Sequence, residues 1–304
     1  MTSAGSEPLA VEVPRTVSLI VNPAAGGGRA GRILDEVGRA LTANGLEHHI
    51  ERTRSLEHAR ELALAAAAAG ELAAALGGDG LIGAVAGALK GSPGILGMLP
   101  GGRGNDVPRV LGIPHDPVAA CRVLATGVVR SLDLGEADGN TFIGIASCGF
   151  DSEANRIANE SRLIRGNLVY TYGALRALVS WRPATFAVTV NGGAPRTITG
   201  YTIAAANSKA YGGGMMLAPD ASLDDGLLDL VMVEHVSKAR FLRLLPTVFK
   251  GEHVRQPAVH VQRARVVSIA ADRPFTMYAD GDPIAELPVT VRVLPSAVRV
   301  MVPR

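Results

Sequence analysis

A doubly wound, Rossmann-like α/β domain followed by a β-sandwich-rich domain is the architecture that this 304-residue sequence predicts. Three observations point to it. Up to about Ser131, short apolar runs alternate with helix-length segments, the rhythm of βα units on a parallel sheet. After Asp133 the texture changes to short, β-branched, turn-separated segments, as in an antiparallel sandwich. Glycine clusters come soon after three of the early apolar runs, where a doubly wound sheet binds ligands at the carboxyl ends of its strands.

Taken in order, residues 1–14 carry Glu7, Glu12 and two prolines with no apolar h-region, so they read as a flexible tail and not as a signal peptide. Thr16–Val21 is a buried strand closed by Asn22-Pro23, and Ala30–Asn44 follows as a helix. Glu47–Arg52 is a strand, Leu56–Ala69 a helix, Leu72–Leu76 a strand, Leu81–Leu89 a helix and Gly94–Leu99 a strand. The alanine-rich stretch around them resembles a membrane span by hydropathy, but Gly70 and Glu71 interrupt it well short of the roughly 18 to 20 apolar residues a span needs. In the second half the expected strands are Thr141–Ile145, Thr185–Val190, Thr197–Ala206, Leu227–Val233, Val259–Ala270, Phe275–Tyr278 and Pro288–Val293. Leu163–Trp181 and Ser237–Lys250 are helices between them. The domains predicted are therefore 15–131 and 132–304, the final segment being free to return to the first domain; no internal repeat is visible.

Composition narrows the function. A chain with 47% hydrophobic residues can bury a full core, and its length favours two domains. Net charge is only +2 and the arginines are scattered, which argues against a nucleic-acid partner. Cys121 and Cys148 have no CxxC or His partner at metal spacing and read as reduced, buried thiols of a cytoplasmic protein; zinc is not expected.

The chemistry concentrates in five clusters. Gly77-Gly78-Asp79-Gly80 brackets one acid with three glycines at a strand end. Free backbone N–H groups in such a turn make an anion nest, and the acid beside an anion then calls for a Mg²⁺ ion, a hydroxyl or a ribose between them. Asp79 would equally suit the N-terminus of the next helix. Asn22-Pro23-Ala24-Ala25-Gly26-Gly27-Gly28 precedes a helix whose first turns carry Arg29 and Arg32, a second anion site. Pro100-Gly101-Gly102-Arg103-Gly104-Asn105-Asp106, with Arg109 after it, is a further glycine nest. Pro219-Asp220-Ala221-Ser222-Leu223-Asp224-Asp225-Gly226 is an acidic turn that could cage a hard cation, and Asp280-Gly281-Asp282 is a tight turn with two carboxylates.

Gly26, Gly28 and Gly31 also satisfy the dinucleotide fingerprint, with Glu51 about twenty residues on. That reading is set aside because Asn22-Pro23 separates the strand from the glycines and the other clusters would have no function.

Asn-Pro-x-x-Gly, Gly-Gly-Asp-Gly, Pro-x-Gly-x-x-Asn-Asp before Arg109 and Leu-Gly-Ile-Pro, Gly-Gly-Gly-Met with Pro-x-Ala-x-x-x-Asp-Gly, and Asp-Gly-Asp occur in one register. This order resembles the bacterial diacylglycerol kinase and lipid kinase family over nearly the whole chain, from about Arg15 to Val302. Gly-Gly-Asp-Gly alone is shared with NAD kinases; five motifs together are far more specific.

The resemblance implies an ATP-binding α/β domain, a β-sandwich domain and an active site in the cleft between them. ATP and Mg²⁺ are the implied cofactors, and the lipid substrate would be met by a peripheral protein at a membrane surface. Family analogy also admits a homodimer. Nucleotide contacts would fall on Asn22, Gly26, Thr53, Gly77, Gly78, Asp79, Gly80, Leu81, Ile82, Gly83, Arg103 and Asn105. Arg32, Asp106, Arg109 and Asp133 match positions near the phosphates and the active-site network. Ser222, Asp225 and Leu227 match a metal site in which Asp225 gives its side chain and the other two give backbone carbonyls. Asp282 matches the general base, usually Glu in the family, and Asp79 is grouped with it as catalytic. The sequence departs from the family at Leu81, Ala84 and Arg103, where Thr, Glu and Thr are usual, and at Gly27, where some relatives have Lys. These departures leave room for a lipid-binding protein without the chemistry, and an NAD kinase-like enzyme is the other alternative.

Ser237–Lys250 interleaves Lys238, Arg240, Arg243 and Lys250 with Phe241, Leu242, Leu244, Leu245, Val248 and Phe249. It fits either docking on anionic lipid or packing on the sandwich. In Leu163–Trp181, residues Tyr170, Tyr172, Leu175, Leu178 and Trp181 fit either an acyl-chain entrance or core.

Overall fold

The computed structural model describes residues 13–160 and 176–304, so the predicted tail and most of Leu163–Trp181 lie outside the described residues. Three short apolar runs and a polar edge strand make the parallel part of the sheet: β1 (Thr16–Val21), β3 (Leu72–Gly77) and β4 (Ile95–Pro100), with β2 (Glu47–Arg52) at the edge, in the order β4-β3-β1-β2. Every residue of β3 and β4 is buried, which is why these strands read as continuous apolar runs without alternation.

Helices α1 (Ala25–Arg32), α2 (Leu34–Ala43), α3 (Leu56–Ala68), α4 (Asp79–Ala88), α5 (Asp106–Val110) and α6 (Pro117–Thr126) accompany this sheet. Ser55 starts α3 by accepting a hydrogen bond from the His58 N–H at 3.1 Å, and Asp116 followed by Pro117 starts α6 in the same manner. The helix expected over Ala30–Asn44 is two helices. Gly26, Gly27 and Gly28 all have left-handed φ (61°, 70° and 85°), so the glycine run is a distorted turn entering α1, and Ile33 separates α1 from α2.

The second half contributes β5 (Val128–Ala137), β6 (Asn140–Phe142), β7 (Ile145–Gly149), α7 (Phe150–Glu160), β8 (Ala184–Val190), β9 (Arg196–Ala206) and β10 (Leu228–Glu234). Helix Lys238–Leu244 and two 3₁₀ turns, Leu245–Lys250 and Glu252–Arg255, come next. β11 (Val259–Ala264), β12 (Val266–Ala271), β13 (Thr276–Ala279), β14 (Asp282–Glu286) and β15 (Val289–Val302) complete the chain. The run expected over Val259–Ala270 divides at Arg265 because β11 pairs with β10 whereas β12 pairs with β8 and β15.

Strand β15 extends well beyond the predicted Pro288–Val293. Its pairing with β5 shifts register between Leu294 and Val298, where Pro295 and a left-handed Ser296 (φ 49°) break the apolar alternation. Beyond that irregularity Arg299 and Val300 pair in parallel with Ile95 and Leu96 of β4. One strand therefore joins two apolar cores. The first gathers Leu19, Ile20, Leu76, Ile82, Met98 and Val300; the second gathers Phe142, Phe186, Tyr201, Met232, Val267 and Val291.

Candidate active site

Where the two halves face each other there is a cavity of about 1120 Å³. Its floor is set by the carboxyl ends of the parallel strands. The N–H groups of Gly101 and Gly102 both donate to the Gly77 carbonyl, at 2.7 and 3.0 Å, which places the loops after β3 and β4 side by side. Asn105 has a left-handed backbone and closes the second loop on itself, its Oδ1 accepting from Gly102 N–H and its Nδ2 donating to the Gly102 carbonyl, both at 3.0 Å. Asn22 makes a similar local turn by accepting from the Ala24 N–H at 3.0 Å.

Asp79 begins α4 and reaches across to α5, accepting hydrogen bonds from the N–H groups of Asp106 (2.8 Å) and Val107 (3.3 Å). Burial, with Asp106 nearby, pushes its pKa up to about 6. Asp106 in turn holds Arg109 by a 2.7 Å ion pair and accepts from the Gly213 N–H at 2.7 Å, which binds the 212–214 glycine turn to the site. Arg103 lines the cavity, exposed, and makes no ion pair among the described residues.

From the other half the β13–β14 turn descends onto the start of α4. A Cβ placed on Gly80 would lie 2.8 Å from Asp282 Oδ2, and one on Gly83 would lie 2.9 Å from Asp280 Oδ2, so glycine at both positions lets the two carboxylates come this close. Asp280 is committed: its two oxygens accept from the Ile143 and Gly144 N–H groups at 2.9 and 3.0 Å. Burial is the main reason that its pKa rises to about 7, with the charges of Asp79 and Asp282 adding to it. The Asp282 carboxylate has no hydrogen-bond partner among the described residues. Desolvation raises its pKa and Arg60 draws it back.

Of the residues expected at the site, Asn22, Gly26, Gly78, Asp79, Gly80, Leu81, Arg103, Asp106, Arg109 and Asp282 line this one cavity. Gly77 and Asn105 support its loops through the bonds above, and Arg32 donates to the Gly27 carbonyl at 3.4 Å beneath the first glycine turn. Thr53, Ile82 and Gly83 stand outside the lining; Ile82 is fully buried in the first core and Thr53 N–H extends the sheet by donating to Val21.

Asp133 also stands outside the lining. It is buried, its oxygens accepting from Ser296 N–H (2.7 Å) and Gly226 N–H (2.6 Å), so it fastens the irregularity in β15 to the acidic turn. Ser222, Asp225 and Leu227, the expected metal set, lie on the acidic turn outside the cavity lining. Asp225 accepts from the Leu227 N–H at 3.1 Å and pairs with Arg263 at 3.1 Å, while Asp224 is held by Arg130 and by the Ser222 hydroxyl. Guanidinium groups thus face both carboxylates; the described residues contain no group of three or more His, Cys, Asp or Glu that could hold a metal, which is a different set from one carboxylate and two backbone carbonyls.

The opposite end of the cavity draws on both segments for which the sequence left lipid contact open, through Leu178, Phe241 and Phe249. Phe150, Val233, Val236, Phe241, Leu244 and Val248 give it an apolar wall. Phe241 stacks on Tyr201 at 4.2 Å and meets Phe150 edge-on at 4.9 Å. The signal available was the basic amphipathic segment Ser237–Lys250: its apolar side chains both pack on the sandwich and line the cavity.

Residues 16–137 match the model of the diacylglycerol kinase catalytic domain, and residues 144–302 that of the YegS C-terminal NAD kinase beta sandwich-like domain. A diacylglycerol kinase of Mycobacterium tuberculosis (strain ATCC 25618 / H37Rv) is 35% identical over 232 residues, 73% of this chain and 74% of its own. The chain belongs to the diacylglycerol kinase and YegS-like lipid kinase family. A diacylglycerol kinase of Bacillus subtilis (strain 168) is 30% identical over 190 residues, 62% of each chain. The crystal structure of a diacylglycerol kinase from Bacillus anthracis str. Sterne shares the fold, with a TM-score of 0.73 at 20% identity over 95% of this chain and 97% of that one. As a member of the diacylglycerol kinase family the protein is an ATP-dependent lipid kinase. None of its described helices is long and apolar enough to cross a membrane.

Proposed function

We propose that this kinase transfers the γ-phosphoryl group of ATP to the free hydroxyl of diacylglycerol, giving phosphatidic acid, while seated on a membrane surface. The observation that carries the reading is the single cavity, with glycine turns and Arg103 at one end, an apolar wall at the other and the unpartnered Asp282 carboxylate on its lining.

Phosphoryl transfer depends on positioning and charge neutralisation more than on covalent help. The turns at Gly26–Gly27, Gly78 and Gly102 offer backbone N–H groups to the phosphates, and Arg103 is an uncommitted cation for the γ-phosphate. Asp282 accepts the lipid hydroxyl proton as the new O–P bond forms and the bond to the β-phosphate oxygen breaks, releasing ADP. Such base catalysis is worth about 10² to 10⁴ in rate. Asp280 is unsuited to that role because both its oxygens already hold backbone N–H groups.

Mg²⁺ fits the phosphate end, since Asp79 is a buried acid raised by the charge of Asp106 and itself raises Asp280, a repulsion a cation would relieve. Asp79 would hold it together with the nucleotide phosphates, and when bound it would neutralise charge on the transferred group.

The mouth of the apolar end supports membrane seating. Leu242 and Phe249 line the cavity yet are 42% and 55% exposed, with Lys238, Arg240, Arg243 and Lys250 exposed around them. A lipid could pass from an anionic bilayer into the cleft without crossing water.

The test is labelled ATP with Mg²⁺ and mixed micelles of diacylglycerol, monoacylglycerol, ceramide or sphingosine, with NAD as a separate acceptor. Label is expected in diacylglycerol at the highest kcat/KM and not in NAD. Transfer to a different lipid alone would overturn the substrate, and binding without any transfer would overturn the reaction.

A further inference from the structure

Within the cavity lies a polar cluster that neither the phosphate end nor the apolar wall explains. Asp151, at the start of α7, accepts from the Thr202 hydroxyl at 2.9 Å and from the Tyr211 hydroxyl at 3.4 Å. The Ser147 hydroxyl bonds to the same carboxylate, and all four side chains line the cavity. Burial pushes Asp151 above the ordinary carboxylate range while the hydroxyls draw it back. Burial and the neighbouring Asp151 charge push the Tyr211 phenol far up, so it keeps its proton and remains a donor.

The three bonds are unequal. At 3.4 Å the Tyr211 contact is well beyond the roughly 2.5 to 3.0 Å of a well-made O–H···O bond, whereas Thr202 lies within it. The phenol proton is thus less committed than that of Thr202, in a cluster that faces the substrate space.

Its place along the cavity says which part of a substrate it would meet. Ser147 stands opposite Tyr278 across β7 and β13, two residues before Asp280. Gly144, whose N–H holds Asp280, is three residues before Ser147, about 10 Å along the strand. Tyr211 is two residues before Gly213, which is bonded to Asp106. The cluster is therefore tied on both sides to the phosphate end, while Phe150, the residue before Asp151, belongs to the apolar wall. A lipid with its hydroxyl at Asp282 and its chains against Phe150 and Phe241 would bring to Tyr211 the atoms a few bonds from that hydroxyl. In a glycerol diester those atoms are ester carbonyls, which accept hydrogen bonds and donate none.

We propose that the Tyr211 hydroxyl, positioned by Asp151, donates a hydrogen bond to an ester carbonyl of the acceptor lipid and so selects glycerol esters over the corresponding ethers. This rests on the glycerolipid reading of the site. Thr202 and Ser147 remain as donors to the carboxylate when the single Tyr211 proton turns from its long contact with Asp151 to the ester carbonyl.

The test compares diacylglycerol with its dialkyl ether analogue, chain length matched, in the same mixed micelles. Wild type is expected to favour the ester about tenfold in kcat/KM, mostly through KM, as one hydrogen bond allows. Tyr211→Phe is expected to bring the ester-to-ether ratio close to one. A purely structural Tyr211 would lower both substrates together and leave the ratio unchanged, which overturns the proposal. A wild-type ratio near one overturns it even if Tyr211→Phe does not fold. Efficient transfer to both lipids at equal rates removes this inference alone, whereas transfer to neither removes the glycerolipid reading with it.

Discussion

Asp280 and Asp282 are separated by one glycine and have opposite fates. Asp280 is pinned by two backbone N–H groups, while Asp282 keeps its carboxylate free against the start of α4. If Asp282 is the proton acceptor, Asp282→Asn removes the base and no phosphate contact. Turnover should fall at least about a hundredfold with ATP affinity nearly unchanged. Steady-state kinetics beside nucleotide titration would decide it, and near-wild-type turnover would assign the proton to another group. The sequence marked this turn as carboxylate-bearing and singled out Asp282 by resemblance. It could not reveal Asp280's commitment, because Ile143 and Gly144 are some 136 residues away in the chain. Asp133, matched to the active-site network by resemblance, likewise has backbone partners that the sequence could not show, Gly226 and Ser296.

Among the elements, the contact between α4 and the β13–β14 turn does most to define the cleft, and it is narrow enough to test. Gly80→Ala would put a methyl 2.8 Å from the Asp282 oxygen. That oxygen is the end of a movable side chain, so the clash is relieved by displacing it. In a helix, alanine is favoured over glycine by up to about 1 kcal/mol. The expected result is an unfolding midpoint unchanged or slightly higher with turnover reduced about tenfold or more, as misplacement of a reacting group implies. A loss of stability with turnover per folded molecule preserved would contradict it. Elements with one clear period were legible: β1 and β2 have the bounds the sequence predicts. The helices α5, α6 and α7 and the strands β5 and β14 were not, since α5 is only five residues long and β5 spans the change of texture where neither rhythm dominates. The apolar wall was legible only in part because Phe150, Val233 and Phe241 come from separate segments.

For the molecule as a whole, the two halves meet through acids. Asp79 from one and Asp280 from the other have pKa values raised from 3.8 to about 6 and about 7. The folded state therefore holds these protons more tightly than the unfolded chain. Their contribution to stability is fully present below about pH 4 and is lost as pH rises toward about 7, each group adding a slope of up to about 1.4 kcal/mol per pH unit. Asp280→Asn should flatten the wild-type decline in urea stability across that window. Superimposable slopes would show that Asp280 titrates normally.

Strand β15 has a consequence for how the protein is made. Val298, Val300, Met301 and Val302 are buried in the same core as Leu19 and Met98, and Arg299 and Val300 pair with β4. The first half of the chain is thus completed by residues synthesised long after β4. Its sheet must wait, with the β4 edge open, until synthesis of this stretch is over, a long-range closure of the kind that slows folding and exposes strand edges to wrong partners.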